Sequence, residues 1–237
     1  AIRDYATREI APKAHEVDQN ARFPIENFKE LGKLGYLGLP ISAEYGGAGA
    51  DYRSYVIAVE EIGRACGSTG LSYAAHISLG TNPLYLFGSE EQKKKYLPPI
   101  CKGEKFAAEC LTEPRGGSDF FGATTIARRD GDDFILNGQK RFIVGGEGAD
   151  YFLVYAKTDP EAPPHKSITC FMVEREMGVK TEYLYNLIGS RGGGTARVVF
   201  EDVRVPKENV IGEINGAYTV FSQMMIPERF GTAPMTI

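Results

Sequence analysis

Apolar residues recur at helical spacing through the N-terminal part of the chain. Ile25, Phe28, Leu31 and Leu34 fall on one face of a helix, and Pro24 stands at its expected first position. The pattern predicts a helix that packs on a core through this face. Further helices are predicted over 55–62, over 71–87 and from Ser89, whose pairing with Gln92 forms a capping box.

After residue 105 the pattern changes to an alternation of apolar and polar residues, which is typical of strands. Asp130-Gly131 and Asn137-Gly138 are dipeptides that favour tight hairpin turns, so each is predicted to join two strands. Short strands at this spacing favour an antiparallel barrel or sandwich. The predicted strands cover 134–136, 142–144, 151–155, 168–173 and 197–200.

The order of the predicted elements defines the fold class. Helices come first, strands follow, and a helical pattern resumes near Gly216, which predicts an α+β multidomain chain rather than alternating βαβ units. A dinucleotide fingerprint is therefore excluded, because it must follow a strand and open a helix. Both chain ends fall inside helical patterns, so we expect a piece of a longer protein. The expected domains are a helical domain over 1–102, a β domain over 103–211 and the beginning of a C-terminal helical bundle over 212–237.

Composition excludes several classes of function. A hydrophobic fraction of 43%, a charged fraction of 24% and a formal net charge of −4 describe an ordinary globular protein without the basic surface that nucleic acid binding needs. No apolar run reaches the roughly 20 residues of a membrane span, and we expect no secretory signal. The four cysteines form no CxxC pair, which predicts buried thiols in a reducing compartment, the cytoplasm or an organelle matrix.

The segment with the most informative chemistry reads Leu-Thr-Glu-Pro-Arg-Gly-Gly-Ser-Asp over residues 111–119. Its glycines let the backbone approach a planar or phosphorylated ligand, because no Cβ intervenes. The hydroxyls of Thr112 and Ser118 add short donors and acceptors. Ordinary turn capping by these hydroxyls is the alternative interpretation. No His, Cys or Asp cluster has the spacing of metal ligands, so no metal site is predicted.

This segment and four others resemble, in the same order, the acyl-CoA dehydrogenase family. The others read HISLG at 76–80, GSEEQKKKYLP at 88–98, NGQK at 137–140 and VFEDVRVP at 199–206. The resemblance implies FAD as cofactor, with the β domain against one face of the flavin and the acyl thioester on the other. It implies cofactor contacts from Leu111, Thr112, Gly117, Ser118, Phe142 and Val144, with Ser118 also near the CoA moiety.

Three positions depart from the family pattern. Val144 stands where a Thr or Ser is usual, and the missing hydroxyl implies a shifted redox behaviour of the flavin, although the backbone N–H can still donate. Glu109 and Arg115 are also unusual replacements. As an alternative to flavin contacts, Phe142 and Val144 are core strand residues, which their spacing also permits.

Oxidation of an acyl-CoA to its 2,3-enoyl form removes an α-proton and transfers a β-hydrogen as hydride to N5 of FAD, so a base must reach the α-carbon. In the isovaleryl and long-chain branches of the family, this base belongs to a Glu-Arg pair on the first long helix of the C-terminal domain. Glu228 and Arg229 stand at that place, which implies Glu228 as catalytic base and Arg229 as a substrate contact. The alternatives are a solvated carboxylate at a helix start and a base beyond residue 237. His76 is predicted to be a packed residue rather than a catalytic one.

The predicted function is therefore α,β-dehydrogenation of an acyl-CoA by an FAD-dependent acyl-CoA dehydrogenase. The resemblance implies an electron-transfer flavoprotein as electron acceptor, and a homodimer or homotetramer in which a neighbouring subunit completes the FAD site. An acyl-CoA oxidase of the same fold and a catalytically silent acyl-CoA-binding paralogue are the alternatives. No motif identifies the acyl chain.

Overall fold

The structure, a computed structural model, describes residues 1–236, with helices up to Cys101, strands from Ala107 and one more helix after residue 216. The predicted order of a helical part, a β part and a further helix is confirmed. Pi-helical turns over Ala6–Ile10 and His76–Thr81 join α1 to α2 and α5 to α6. The helices are α1 (Ile2–Tyr5), α2 (Ala11–Gln19), α3 (Ile25–Lys33), α4 (Tyr52–Ala65), α5 (Gly67–Ala75), α6 (Asn82–Phe87), α7 (Glu90–Cys101) and α8 (Ala217–Thr232).

Two details of the predicted α3 differ from the structure. Pro24 precedes the helix as its N-cap, and the helix begins at Ile25. Phe28 and Leu31 are buried as predicted, but Leu34 is 52% exposed because the helix ends at Lys33 and Leu34 is only its C-cap. The capping box at the start of α7 is confirmed.

The β part forms one sheet of eight strands, most of them antiparallel. Along the sheet the strands run in the order β6-β7-β3-β2-β4-β5-β8, and β1 pairs with β4. The parallel pairs are β1 with β4 and β2 with β4. The strands are β1 (Ala107–Cys110), β2 (Ile126–Asp130), β3 (Asp133–Ile143), β4 (Tyr151–Lys157), β5 (Ile168–Glu174), β6 (Lys180–Leu184), β7 (Ala196–Pro206) and β8 (Val210–Ile211).

One of the two predicted hairpin turns is wrong. Asp130-Gly131 does lie at the turn between β2 and β3, but Asn137-Gly138 lies inside β3. There Asn137 exchanges two hydrogen bonds of 3.0 Å with Asp202 of β7, and the register of β3 against β7 shifts at Gly138. Gly138 has a φ of 151°, and a Cβ on it would lie 2.6 Å from Oγ1 of Thr125. The dipeptide therefore forms a β-bulge in a long strand.

The two faces of the sheet pack on different sets of helices. One face joins the core of α1–α5, and the other joins a core built from α6, α7 and α8. Strand β1 contributes to both, because Ala108 and Cys110 belong to the first core and Ala107 to the second. The prediction of buried thiols is confirmed for all four cysteines, which are free. Among residues 1–236, the helices are too short or too polar to cross a bilayer.

Candidate functional site

The structure brings the two predicted cofactor segments together beside the ends of β1 and β3. The loop 111–119 directly follows β1, and residues 142–144 lie at the end of β3. The backbone N–H of Arg141 donates to the carbonyl of Thr112 at 2.8 Å. Segments that are about thirty residues apart along the chain therefore form one continuous surface.

A buried ion pair holds this surface in place. Nζ of Lys140 lies 2.8 Å from Oε1 of Glu113 and 2.7 Å from the carbonyl of Tyr155, and it also donates to the carbonyl of Leu111 at 3.2 Å. Glu113 accepts further hydrogen bonds from Thr124 and from the next backbone N–H. Both partners are almost fully buried. These contacts attach the loop 111–119 to β3 and β4.

The charges of this pair follow from their surroundings. Burial by itself raises the pKa of Glu113, but the charge of Lys140 and the hydrogen bonds from Lys140 and Thr124 outweigh it and lower the pKa to about 2. Burial lowers the pKa of Lys140, against the opposing charge of Glu113. Sequence reasoning gave neither residue a role, because Lys140 stands in the polar run Asn137-Gly138-Gln139-Lys140-Arg141 and nothing there indicates its burial.

The loop 111–119 is shaped for close packing. A Cβ on Gly117 would lie 2.9 Å from Oγ1 of Thr112, so a side chain there would displace the threonine. Arg115 folds back over the loop, with an ion-pair distance of 3.4 Å to Asp119. Leu111 and Thr112 are half-buried, whereas Ser118 is exposed, and the loop therefore offers polar groups at an open edge.

Phe142 is held in a strained backbone conformation. Its φ is 57°, in the left-handed region that aromatic residues rarely adopt, and its ring is 45% exposed. The ring lies 4.4 Å from that of Tyr185, and the guanidinium of Arg141 lies 4.4 Å from its centroid. The alternative interpretation of Phe142 as a core residue is wrong. Such strain is typical of functional sites, and an exposed aromatic ring can pack against a planar ring system such as a flavin.

Glu228 lies in the second half of α8, not at a helix start. It shares one helix face with the buried Met224 and with Gly231, which packs against Tyr55. Its side chain is 17% exposed and it does not stand at a helix start, although it does lie beside its basic neighbour Arg229 as the alternative interpretation expected. Oε1 accepts a hydrogen bond of 2.9 Å from Thr232. Its carboxylate is therefore turned toward the interior.

The basic neighbour of Glu228 leaves this carboxylate available. Nη1 of Arg229 lies 2.9 Å from Oε2 of Glu228, but the two groups are not aligned for a hydrogen bond. The side chain of Arg229 is 71% exposed, so water screens the pair. The guanidinium of Arg229 is therefore accessible to a ligand from the solvent side.

A second carboxyl group, that of Glu109 on β1, faces the same layer of the structure. Burial, together with the charge of Glu228, raises the pKa of Glu109 to about 8. His76 is a packed residue, as predicted: it is fully buried and accepts a hydrogen bond of 3.0 Å from the N–H of Ala107. Burial lowers the pKa of His76 to about 4, which keeps the ring neutral.

An apolar groove lies on another face of α8. Its volume is about 660 Å³, and α4 and α6 form its other walls. Ile226 and Phe230 line it and are more than half exposed.

Within residues 1–236, no group of three or more His, Cys, Asp or Glu side chains is arranged to hold a metal ion.

Comparison with known protein families agrees with this architecture. Residues 1–104 match the N-terminal domain of acyl-CoA dehydrogenases, and residues 108–203 match their middle domain. The chain therefore belongs to the acyl-CoA dehydrogenase family. The matches end before α8, so they do not test the assignment of Glu228.

Individual relatives extend the comparison over the whole chain. The short-chain specific acyl-CoA dehydrogenase of Clostridium acetobutylicum is 41% identical over 237 residues, which are 62% of its length. The solved butyryl-CoA dehydrogenase of Megasphaera elsdenii matches with a TM-score of 0.94 and 34% identity, over 99% of this chain and 62% of that chain. An acyl-CoA dehydrogenase of Bacillus anthracis, solved with FAD, matches with a TM-score of 0.92 and 37% identity, over 99% of this chain and 40% of that chain. The chain thus spans less than two thirds of the length of these relatives.

Proposed function

We propose that the protein is an FAD-dependent acyl-CoA dehydrogenase that converts an acyl-CoA thioester to its 2,3-enoyl form. The observation that carries the proposal is the surface formed by the loop 111–119 and the end of β3, joined by the hydrogen bond from Arg141 to Thr112. The FAD bound to the similar enzyme of Bacillus anthracis supports the choice of cofactor.

In this proposal the two joined segments hold the flavin. The backbone of Leu111 and the hydroxyl of Thr112 bond the ring, and the N–H of Val144 adds a donor. Phe142 packs beside the ring with its exposed face. Gly117 keeps the loop close to Thr112. Ser118, which is exposed, bonds the cofactor and the CoA moiety in this proposal.

Glu228 is the proposed base. Its carboxylate removes the α-proton of the thioester, for which its inward orientation and low exposure are suited. Bound FAD supplies the acceptor for the β-hydrogen, which leaves as a hydride. Arg229, whose exposed guanidinium lies beside Glu228, is the proposed substrate contact.

The proposed partners follow from the family. The electron acceptor is an electron-transfer flavoprotein, and the active form is a homodimer or homotetramer whose neighbouring subunit completes the FAD site. The four free, buried thiols support the cytoplasm or an organelle matrix as the compartment.

Anaerobic mixing with acyl-CoAs tests the proposal. Protein that carries its flavin should lose the oxidised flavin absorption with at least one member of a panel of linear, branched, alicyclic and aromatic acyl-CoAs, and form one enoyl-CoA per flavin. Rapid reoxidation by air would instead identify an acyl-CoA oxidase. A flavin that no thioester reduces would contradict an enzymatic function and favour a binding protein.

A further inference from the structure

Glu109 occupies an unusual place for a carboxyl group. It lies on β1, where alternation puts it on the same face as Ala107, in the core between the sheet and α8. Its partner across β4 is Leu153, which is fully buried in the same core. The carboxyl group therefore points into a layer built from apolar side chains.

This carboxyl group lacks a partner. Among the described residues, none forms a hydrogen bond to Oε1 of Glu109, which is buried. The charge of Lys140 acts on it, but that ammonium group already donates to Glu113 and to the carbonyls of Leu111 and Tyr155. A buried polar atom without a hydrogen-bond partner needs an explanation, and a bound ligand is one.

Glu109 and Glu228 approach this layer from opposite sides. Glu109 comes from β1 and Glu228 from α8, and the charge of Glu228 reaches Glu109. Burial and this charge raise the pKa of Glu109 to about 8, so at neutral pH its carboxyl group is uncharged and can donate a hydrogen bond. Glu109 as a residue is only partly buried, so it is not sealed off from every approach.

We propose that the carboxyl group of Glu109 donates a hydrogen bond to an oxygen atom on the acyl chain, close to the carbons at which Glu228 acts. The substrate is then an acyl-CoA whose chain carries a hydroxyl or keto oxygen beyond the β-carbon. This inference rests on the proposed dehydrogenase function, because it takes Glu228 as the base.

The hydrogen-bonding capacity of Glu109 favours an acyl chain that carries an oxygen atom. A plain hydrocarbon chain leaves the carboxyl group of Glu109 without a partner, whereas a chain oxygen accepts its proton. Sites built to bond a substrate oxygen reject analogues that lack it by factors of about 10⁴ in favourable cases. Glu109 is therefore a specificity residue, and its loss should alter the choice of substrate rather than the step at Glu228.

Matched pairs of acyl-CoAs test this role. The members of each pair have equal chain length and differ only by a hydroxyl or keto oxygen. The ratio of kcat/KM for the oxygenated over the plain substrate is measured in the flavin-loaded wild type, in Glu109→Leu and in Glu109→Gln. The control is Glu176→Gln, whose side chain is 84% exposed on the β domain.

The ratio should exceed one in the wild type and fall by about 100-fold in Glu109→Leu. It should be largely kept in Glu109→Gln, whose amide N–H donates, and be unchanged in Glu176→Gln. Binding of the paired enoyl-CoA products, followed by the shift of the oxidised flavin spectrum, should show the same preference without turnover.

Three results would overturn the role of Glu109. They are a preference for the plain chain in the wild type, an unchanged ratio in Glu109→Leu, and a loss of FAD affinity in that variant with the ratio intact. Failure of the proposed function itself looks different, because the wild-type flavin would then be reduced by neither member of any pair.

Discussion

The ammonium group of Lys140 lies 2.8 Å from a carboxylate oxygen of Glu113, and both side chains are buried beneath the loop that carries Thr112. The pair joins β3 to the segment that follows β1, while Lys140 also bonds the carbonyl of Tyr155 on β4. Because Arg141, the next residue, bonds the carbonyl of Thr112, the position of the cofactor loop depends on this pair. Its removal should therefore affect both stability and flavin binding.

Lys140→Met should lower the free energy of unfolding by about 3–5 kcal/mol, because it leaves the carboxylate of Glu113 buried without its cation. The double variant Lys140→Met/Glu113→Gln should lose less than the sum of the two single variants. Urea denaturation measures both, and titration with FAD should show weaker binding. The exposed pair Lys180–Glu201 is the matched control, and Lys180→Met should change stability little. Additive losses in the double variant would contradict the coupling.

Acid should weaken the fold through Glu113. Its pKa is about 2 in the folded protein and has an ordinary value of 4.5, so between these values the unfolded chain binds a proton that the folded chain does not. Stability from this group is complete above pH 4.5 and is lost as the pH falls toward 2. The urea midpoint should fall more between pH 5 and pH 3 in the wild type than in Lys140→Met/Glu113→Gln. An equal fall in both proteins would contradict the assignment.

Phe142 should show a conflict between stability and function. Since its φ is 57°, glycine fits this position better than alanine, and Phe142→Gly should be more stable than Phe142→Ala by about 1 kcal/mol. Both variants lose the aromatic ring and should bind FAD more weakly than the wild type. Thermal unfolding of the two variants without flavin, followed by titration with FAD, checks both statements. Equal stability of the two variants would mean that the backbone carries no strain here.

Glu109 should destabilise the fold as the pH rises. Its pKa is about 8 in the folded protein against an ordinary 4.5, so between these values the folded chain holds a proton that the unfolded chain releases. Wild-type stability should therefore fall from pH 5 to pH 8 through this group. Glu109→Leu lacks the group, so its stability relative to the wild type should be about 3 kcal/mol higher at pH 8 than at pH 5. A gain that is independent of pH would contradict a buried, unpaired carboxyl group.

Sequence patterns predicted the order of the elements and most of the strands, because the buried face of a helix or strand requires apolar residues at a regular spacing. They failed at Asn137-Gly138, where a dipeptide typical of turns forms a bulge, since its bonding to Asp202 depends on a strand far away in the chain. The resemblance to a family indicated the segments of Thr112 and Phe142 but not the hydrogen bond from Arg141 to Thr112 that joins them. Glu109 was noted only as an unusual replacement and Lys140 received no role, because the burial of a charge is a property of the folded layers and not of the local sequence.

Reduction of the bound flavin by an acyl-CoA, compared between the wild type and Glu228→Gln, tests the central claim most directly. Both proteins should bind FAD, because Glu228 lies on α8 and not on the cofactor surface. Under anaerobic conditions the wild-type flavin should bleach rapidly, and the variant should bleach at least about 10²-fold more slowly, because it lacks a group to accept the α-proton. Equally fast bleaching in Glu228→Gln would contradict the account and place the base on another residue.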